Sequence, residues 1–130
     1  MSFAATLELG SKKWTILNLH YSLNQETDHL GQPSSITRGG KITMTVEATE
    51  DTTFFDWMTN SFDRKDGSVK YKKRDGDATL KELKFKESYL VSYTENFDHD
   101  SSQPLSETFT LSARELDLGN STFVNEWTKS

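Results

Sequence analysis

Apolar residues fall mostly on alternate positions, the period of a strand with one buried face. Phe3, Ala5, Leu7 and Leu9 alternate with Ala4, Thr6 and Glu8, and Gly10-Ser11-Lys12-Lys13 turns the chain. Residues 14–25 then place Leu17, Leu19, Tyr21 and Leu23 on one face, opposite Asn18, His20, Ser22 and Asn24. The two segments predict a hairpin. Residues 41–48 form a further strand, with Ile42, Met44, Val46 and Ala48 inward against Lys41, Thr43, Thr45 and Glu47. Asp66-Gly67 signals a turn, residues 68–74 a strand with Val69 and Tyr71 on one face, and Asp75-Gly76-Asp77 a tight turn. Residues 79–97 are too long for one straight strand. A bulge is expected near Lys86-Glu87-Ser88, since a bulge lets a barrel strand turn a corner. Leu83 and Phe85 lie before it, and Tyr89, Val91, Tyr93 and Phe97 lie after it. Residues 98–104 read as a polar loop. Leu105, Phe109, Leu111 and Ala113 alternate on another strand, the phase slips before Leu116 and Leu118, and Gly119-Asn120 ends it. Phe123, Val124 and Trp127 in the tail predict that it docks.

One stretch departs from this period. In residues 49–62, Phe54, Phe55, Trp57, Met58 and Phe62 fall within an arc of roughly 160° at ~100° per residue. This is the pattern of a helix with an aromatic face, predicted to bury all five residues against a sheet or barrel. Thr49 or Asp51 can cap its first turn. A second stretch, residues 26–38, has no sustained alternation and carries Gly31, Pro33 and paired serines. Long loops in compact domains are uncommon unless functional. Leu30 and Ile36 have no evident place in the parent core. They would pin the loop to its own domain or to a neighbouring subunit.

The chain has 130 residues, enough for a single domain over residues 1–130. Hydrophobic residues make up 33%, low for a globular domain, which suits a polar, Thr-rich barrel or sandwich. A net charge of −5 disfavours nucleic acid and membrane surfaces as partners. No cysteine is present, which excludes disulfides and thiolate chemistry. Met1 to Leu9 lacks a basic region and holds Glu8, so no signal peptide and synthesis in the cytoplasm are expected. His20, His29 and His99 show no metal-ligand spacing, and neither D-G segment fits a calcium loop. No nucleophile elbow or phosphate loop is found, so no catalytic residue, metal or cofactor is expected. Lys70, Lys72, Lys73, Arg74, Lys81, Lys84 and Lys86, interleaved with Tyr71 and Phe85, resemble a single-strand nucleic-acid face. Tyr71 shares the inward parity of Val69, however, and pairing of the lysines with Glu82 and Glu87 as a solvated strand face is the plainer expectation.

Several segments carry a resemblance in their order and spacing. They are Tyr21-Ser22-Leu23-Asn24-Gln25, Pro33-Ser34-Ser35 with Arg38-Gly39-Gly40, and Glu50-Asp51 through Trp57-Met58 to Phe62. Arg64-Lys65-Asp66-Gly67, Lys73-Arg74-Asp75, Lys81-Glu82-Leu83, Glu95-Asn96-Phe97-Asp98, Gly119-Asn120 and Asn125-Glu126-Trp127 continue it. Over essentially its whole length the chain resembles the type VI secretion tube proteins, the haemolysin-coregulated protein (Hcp, TssD) family, in its Bacteroidota form. The resemblance implies a mainly β fold, a small antiparallel β-barrel with one flanking α-helix. It implies homo-hexameric rings that stack into a tube driven out by a contractile sheath. It also implies spike, baseplate and effector proteins as partners, no cofactor, no membrane insertion, and secretion through the type VI apparatus. In that setting Asp28, Leu30, Pro33, Ile36 and Arg38 become a contact arm between subunits or rings, and outward polar residues suit a water-filled lumen. A small ligand-binding barrel and a single-stranded nucleic-acid-binding barrel are the alternatives.

Overall fold

The computed structural model describes residues 3–73 and 78–125. Its elements run β1 (Phe3–Leu9), β2 (Lys12–Tyr21), β3 (Lys41–Glu47), α1 (Thr53–Thr59), β4 (Arg64–Lys73), β5 (Thr79–Phe97), β6 (Leu105–Ser112), β7 (Glu115–Leu118) and β8 (Ser121–Val124). All strand pairings are antiparallel, in the order β4-β1-β2-β3-β6-β5-β7-β8. A further pairing of β4 with β5 closes six of the strands, β4-β1-β2-β3-β6-β5, into a barrel. Closure removes the open edges that would otherwise invite strand addition. β7 and β8 extend from β5 as a flap.

β5 makes closure possible because it serves β4 with its first half and β6 with its second. Tyr89, at the changeover, lies opposite both Arg64 and Ser112. The bulge expected there is present: Lys86 and Glu87 together oppose Asp66, between the pairs Gly67–Phe85 and Lys65–Ser88. Glu87 takes a φ of +50°, and Asp66 Oδ1 accepts its N–H at 2.7 Å. Asp66-Gly67, predicted as a turn, therefore lies inside β4. Glycine is needed there for space: a Cβ would stand 2.6 Å from Phe85 Cζ and 2.8 Å from the Glu8 carbonyl oxygen. The second D-G signal, Asp75-Gly76-Asp77, lies outside the described residues.

Two further bulges overturn part of the predicted facing. One falls between Ile16 and Asn18 in β2, the other between Leu90 and Ser92 in β5. Each inserts one residue, Leu17 or Val91, and shifts every later side chain to the opposite face. Leu17 and Val91, read with the apolar face, are exposed, while Trp14, Ser88 and Leu90 are buried; Phe97 keeps the inward parity of Tyr93 but is exposed where β5 ends. Leu23, also expected inward, is exposed beyond the end of β2 at Tyr21.

Side chains fill the barrel interior, with Phe54, Trp57, Phe85, Phe109, Ile42, Met44 and Leu111 among those fully buried. Phe54 stacks on Phe109 with ring centroids 4.2 Å apart and leans on Trp14 at 4.7 Å. Trp57 is buried beside it and donates its indole N–H to the Asp63 carbonyl at 2.8 Å. The predicted five-residue helix face is corrected here: Phe54 and Trp57 reach the core, but Phe55, Met58 and Phe62 are exposed. The helix has only seven residues, and a single i, i+3 pair, Phe54 and Trp57, points into the barrel interior. Asn60 has already left helical geometry, and Phe62, 85% exposed, follows it. Phe55 rests edge-on against Tyr93. Thr52 is the N-cap and makes no side-chain capping bond; Asp51, just before it, accepts the Thr53 N–H on Oδ1 at 2.7 Å. With the Thr53 hydroxyl and the Lys12 ammonium also on this carboxylate, its pKa is held down to about 2.

Asn125 fastens the tail. Its Nδ2 donates to the carbonyls of Gly39 (3.1 Å) and Ala113 (3.0 Å), and its N–H donates to Arg114 O. Gly40, at φ +101°, passes directly beneath that amide, where a Cβ would collide with it. Trp127 lies outside the described residues.

Candidate functional site on the arm and barrel faces

Residues 24–38 form an arm held together by its own polar groups. At its root, Asn24 and Arg38 exchange two backbone hydrogen bonds of 2.9 and 2.6 Å. Farther out, Ser34 N–H donates to Glu26 O and Asp28 N–H to Gln32 O. Thr27 and Pro33 face each other as a bridge, which needs no N–H from the proline. At the tip, Asp28 Oδ1 accepts the N–H groups of Leu30 (2.9 Å) and Gln32 (3.1 Å), and Gly31 supplies a φ of +85°. Asp28 thus organises the tip, a role suited to a side chain that bonds its own backbone two residues on. Arg38 reaches Glu26 only at 4.0 Å and in the open, a contact worth little.

Among the described residues the arm's aliphatic side chains stand largely uncovered: Leu30 is 73% and Ile36 72% exposed. At the root, Gly39 runs so close to β2 that a Cβ would stand 3.0 Å from Ser22 O. The arm is therefore anchored at its base and free at its tip.

The lysine-bearing strands carry an ion-paired face. Lys70 meets Glu8 at 3.3 Å, and Lys86 meets both Glu115 and Asp117 at 3.3 Å. Hydrogen bonds donated by its ammonium to those two carboxylates raise the Lys86 pKa. Glu87 holds Arg64 at 2.9 Å and Arg114 at 2.7 Å. The partners differ from the predicted Glu82 and Glu87 because β1 and β7, not only β4 and β5, border these lysines. Tyr71 is half-buried, and burial raises its phenol pKa.

One buried acid was not singled out from the sequence. Glu107, 2% exposed, faces into the barrel from β6, accepts the Tyr93 phenol O–H at 2.7 Å, and leaves Oε1 unpartnered. Burial raises its pKa, Tyr93 opposes that, and Glu95 and Asp51 add like-charge repulsion. The signal was present in the chain: Glu107 shares the parity of Leu105, Phe109 and Leu111. Among the described residues, no three His, Asp or Glu side chains converge as metal ligands, and no helix is long and apolar enough to cross a membrane.

Comparison with known proteins places this geometry. The profile of the family described as Hemolysin coregulated protein Hcp (TssD) matches residues 1–128. The structure of Hcp1 from Flavobacterium johnsoniae superposes with a TM-score of 0.90 at 55% identity, covering 94% of this chain and 99% of that one. Hcp1 from Salmonella typhimurium shares the fold at 13% identity, with a TM-score of 0.74 over 95% of this chain and 92% of that one. A sheath-tube complex of an extracellular contractile injection system shares it more distantly, with a TM-score of 0.54 at 20% identity over 88% of this chain and 86% of that one. No curated protein matches the chain. A whole-chain profile match, a structural relative at more than half identity, and a closed barrel bearing a protruding arm together make this chain a member of the Hcp (TssD) family.

Proposed function

We propose that residues 1–130 form a single tube domain, the structural subunit of the type VI secretion inner tube. Family membership supports a tube subunit in general terms. In the finer reading, six copies close into a ring, rings stack, and a contractile sheath drives the tube outward with effectors in or on it. The chain is made in the cytoplasm, leaves through the apparatus, and meets spike and baseplate proteins at the tube's end. It performs no catalysis and holds no cofactor. Ligand-binding and nucleic-acid readings gain no site, since side chains fill the barrel and its lysines on β4 and β5 include ion-paired ones.

The observation that carries the ring reading is the arm, whose aliphatic residues Leu30 and Ile36 are left exposed. With Asp28 shaping the tip, Pro33 bridging Thr27, and Arg38 paired at the root, it is a rigid element offered to another copy. An arm that docks on a different surface of its neighbour makes a heterologous contact, which closes into a ring or extends into a filament. Light scattering on the purified chain, followed by negative-stain imaging, tests this. A mass of six chains with annular particles is expected. Deleting residues 28–35 is expected to leave a folded monomer that forms no ring, and unchanged ring formation would overturn the arm's role.

A further inference from the structure

α1 lies at the end of the barrel where β2 begins and β3 finishes. Phe54 leans on Trp14 there, Lys12 Nζ donates to the Thr53 hydroxyl at 3.0 Å, and Phe55 rests edge-on against Tyr93 with ring centroids 6.2 Å apart. Behind Tyr93 stands Glu107, only 2% exposed. The Tyr93 phenol donates to Glu107 Oε2 at 2.7 Å, and among the described residues Oε1 has no partner. Helix, phenol and buried carboxyl thus form one connected series, Phe55 to Tyr93 to Glu107.

The surroundings of Glu107 suit a neutral group better than a charged one. β5 sets Glu95 directly across from it, two residues beyond Tyr93. β3 sets the apolar Val46 across its other side, and the strand period turns Glu47 to the outer face opposite Ser106. The segment leading into α1 brings Asp51, whose negative charge acts on Glu107, and the exposed Glu50. Lys12, the cation that β2 contributes, is bound to Asp51 at 2.9 Å. On α1, Asp56 is exposed and accepts the Thr52 hydroxyl at 3.1 Å. Lys65 of β4 stands over Trp57 and pairs with Asp63 at 3.5 Å. A carboxylate withdrawn from water among such neighbours is costly, and the cost falls away when it gains a proton or when water reaches it.

We infer that Glu107 is a proton-operated latch for α1: neutral, it keeps the helix seated on the barrel, and ionised, it is hydrated as the Phe55–Tyr93 contact lifts and the helix end loosens. The latch operates within one copy and does not depend on the tube reading. The seated form binds the proton more tightly than an open, hydrated one. Burial is the main cause, Tyr93 opposes it, and Glu95 and Asp51 add to it. Seating is therefore fully favoured below the ordinary carboxyl pKa of about 4.5, weakens as pH rises from there, and levels off above the seated form's value. A subunit carried into a more acidic medium gains a firmer helix end.

Hydrogen exchange of the full chain, read by mass spectrometry from about pH 4.5 to about pH 8 and corrected for intrinsic exchange, tests the latch. Peptides covering residues 53–59 are expected to lose protection as pH rises, by a factor of about ten for each unit separating the seated and open pKa values. The loss is expected to be the same with and without urea below the unfolding transition, which marks a local opening. Glu107→Gln is expected to hold the helix at its acid-level protection across the range. Tyr93→Phe keeps a ring for Phe55 but removes the bond to the carboxylate, so its loss should level off at higher pH than in the unaltered chain; this variant carries the test if Glu107→Gln does not fold. Helix protection independent of pH, a loss that appears only as urea-sensitive unfolding of the whole chain, or an unaltered profile in either variant overturns the inference.

Discussion

Phe54 and Phe55 are neighbours in sequence, equal in chemistry and opposite in burial, which makes their truncation a sharp test of how the helix sits. Phe54 is fully buried between Trp14 and Phe109. A buried phenylalanine covers at least about 150 Å², of which alanine would keep a minor part. Losing roughly 100–130 Å² at about 25 cal/mol per Å² costs about 2.5–3 kcal/mol. The cavity and the two ring contacts bring the expectation for Phe54→Ala to about 4 kcal/mol, within the usual range for such truncations. Phe55 is 57% exposed and touches Tyr93 only by an edge, so Phe55→Ala should cost about 1 kcal/mol. Urea unfolding followed by the fluorescence of the buried Trp14 and Trp57 separates the two. At an m-value of about 1.5 kcal/mol/M, the midpoints should fall by about 2.7 M and about 0.7 M. Equal shifts would mean that both rings lie in the core, and the helix orientation described above would be wrong.

Other outcomes follow from single contacts. Gly67→Ala should lose about 2–3 kcal/mol by the same urea assay, because the new methyl meets the immovable Glu8 carbonyl as well as Phe85. Asn125→Ala removes both side-chain bonds that hold Gly39 and Ala113, and should cost about 1–3 kcal/mol, with faster amide exchange near Gly40. Glu107→Gln keeps an acceptor for Tyr93 and removes a charge that burial disfavours, so it should raise the melting temperature at pH 7. The sign with pH follows from the raised folded pKa: the folded state binds the proton more tightly. The penalty is absent below the unfolded value of about 4.5, grows as pH rises from there to the folded pKa, and is complete above it. The advantage of Glu107→Gln should therefore shrink on acidification toward pH 4.5, and an advantage independent of pH would refute the assignment.

The barrel was legible because alternation survives in β1, β3 and β6 without interruption. The bulge at Lys86-Glu87 was legible from strand length alone, since a 19-residue strand has to turn. The bulges at Leu17 and Val91 were not, because both inserted residues are aliphatic and fit the inward period they interrupt. The helix misled for a related reason. Its aromatic arc is real, but how much of an arc is buried depends on how squarely the helix meets the barrel, and that is set by β5 and Asp51 rather than by spacing. The arm announced itself by losing alternation, yet its hairpin-like bonding rests on Asp28 and the Asn24–Arg38 pair, which resemble any polar loop in one dimension. The partners of Lys70 and Lys86 needed the topology, because Glu8, Glu115 and Asp117 come alongside only when the barrel closes.

The arm's internal bonding has an entropic consequence for any partner that grips it. Fixing the backbone of one residue costs roughly 1–2 kcal/mol, so ordering an unstructured segment of this length on contact would cost on the order of 15–30 kcal/mol. That exceeds what a modest interface returns. Here the Asn24–Arg38, Glu26–Ser34 and Asp28–Gln32 bonds fix the segment while the monomer folds. A docking neighbour then meets a shape already made, and the association free energy of Leu30 and Ile36 is left to hold copies together rather than to order the arm.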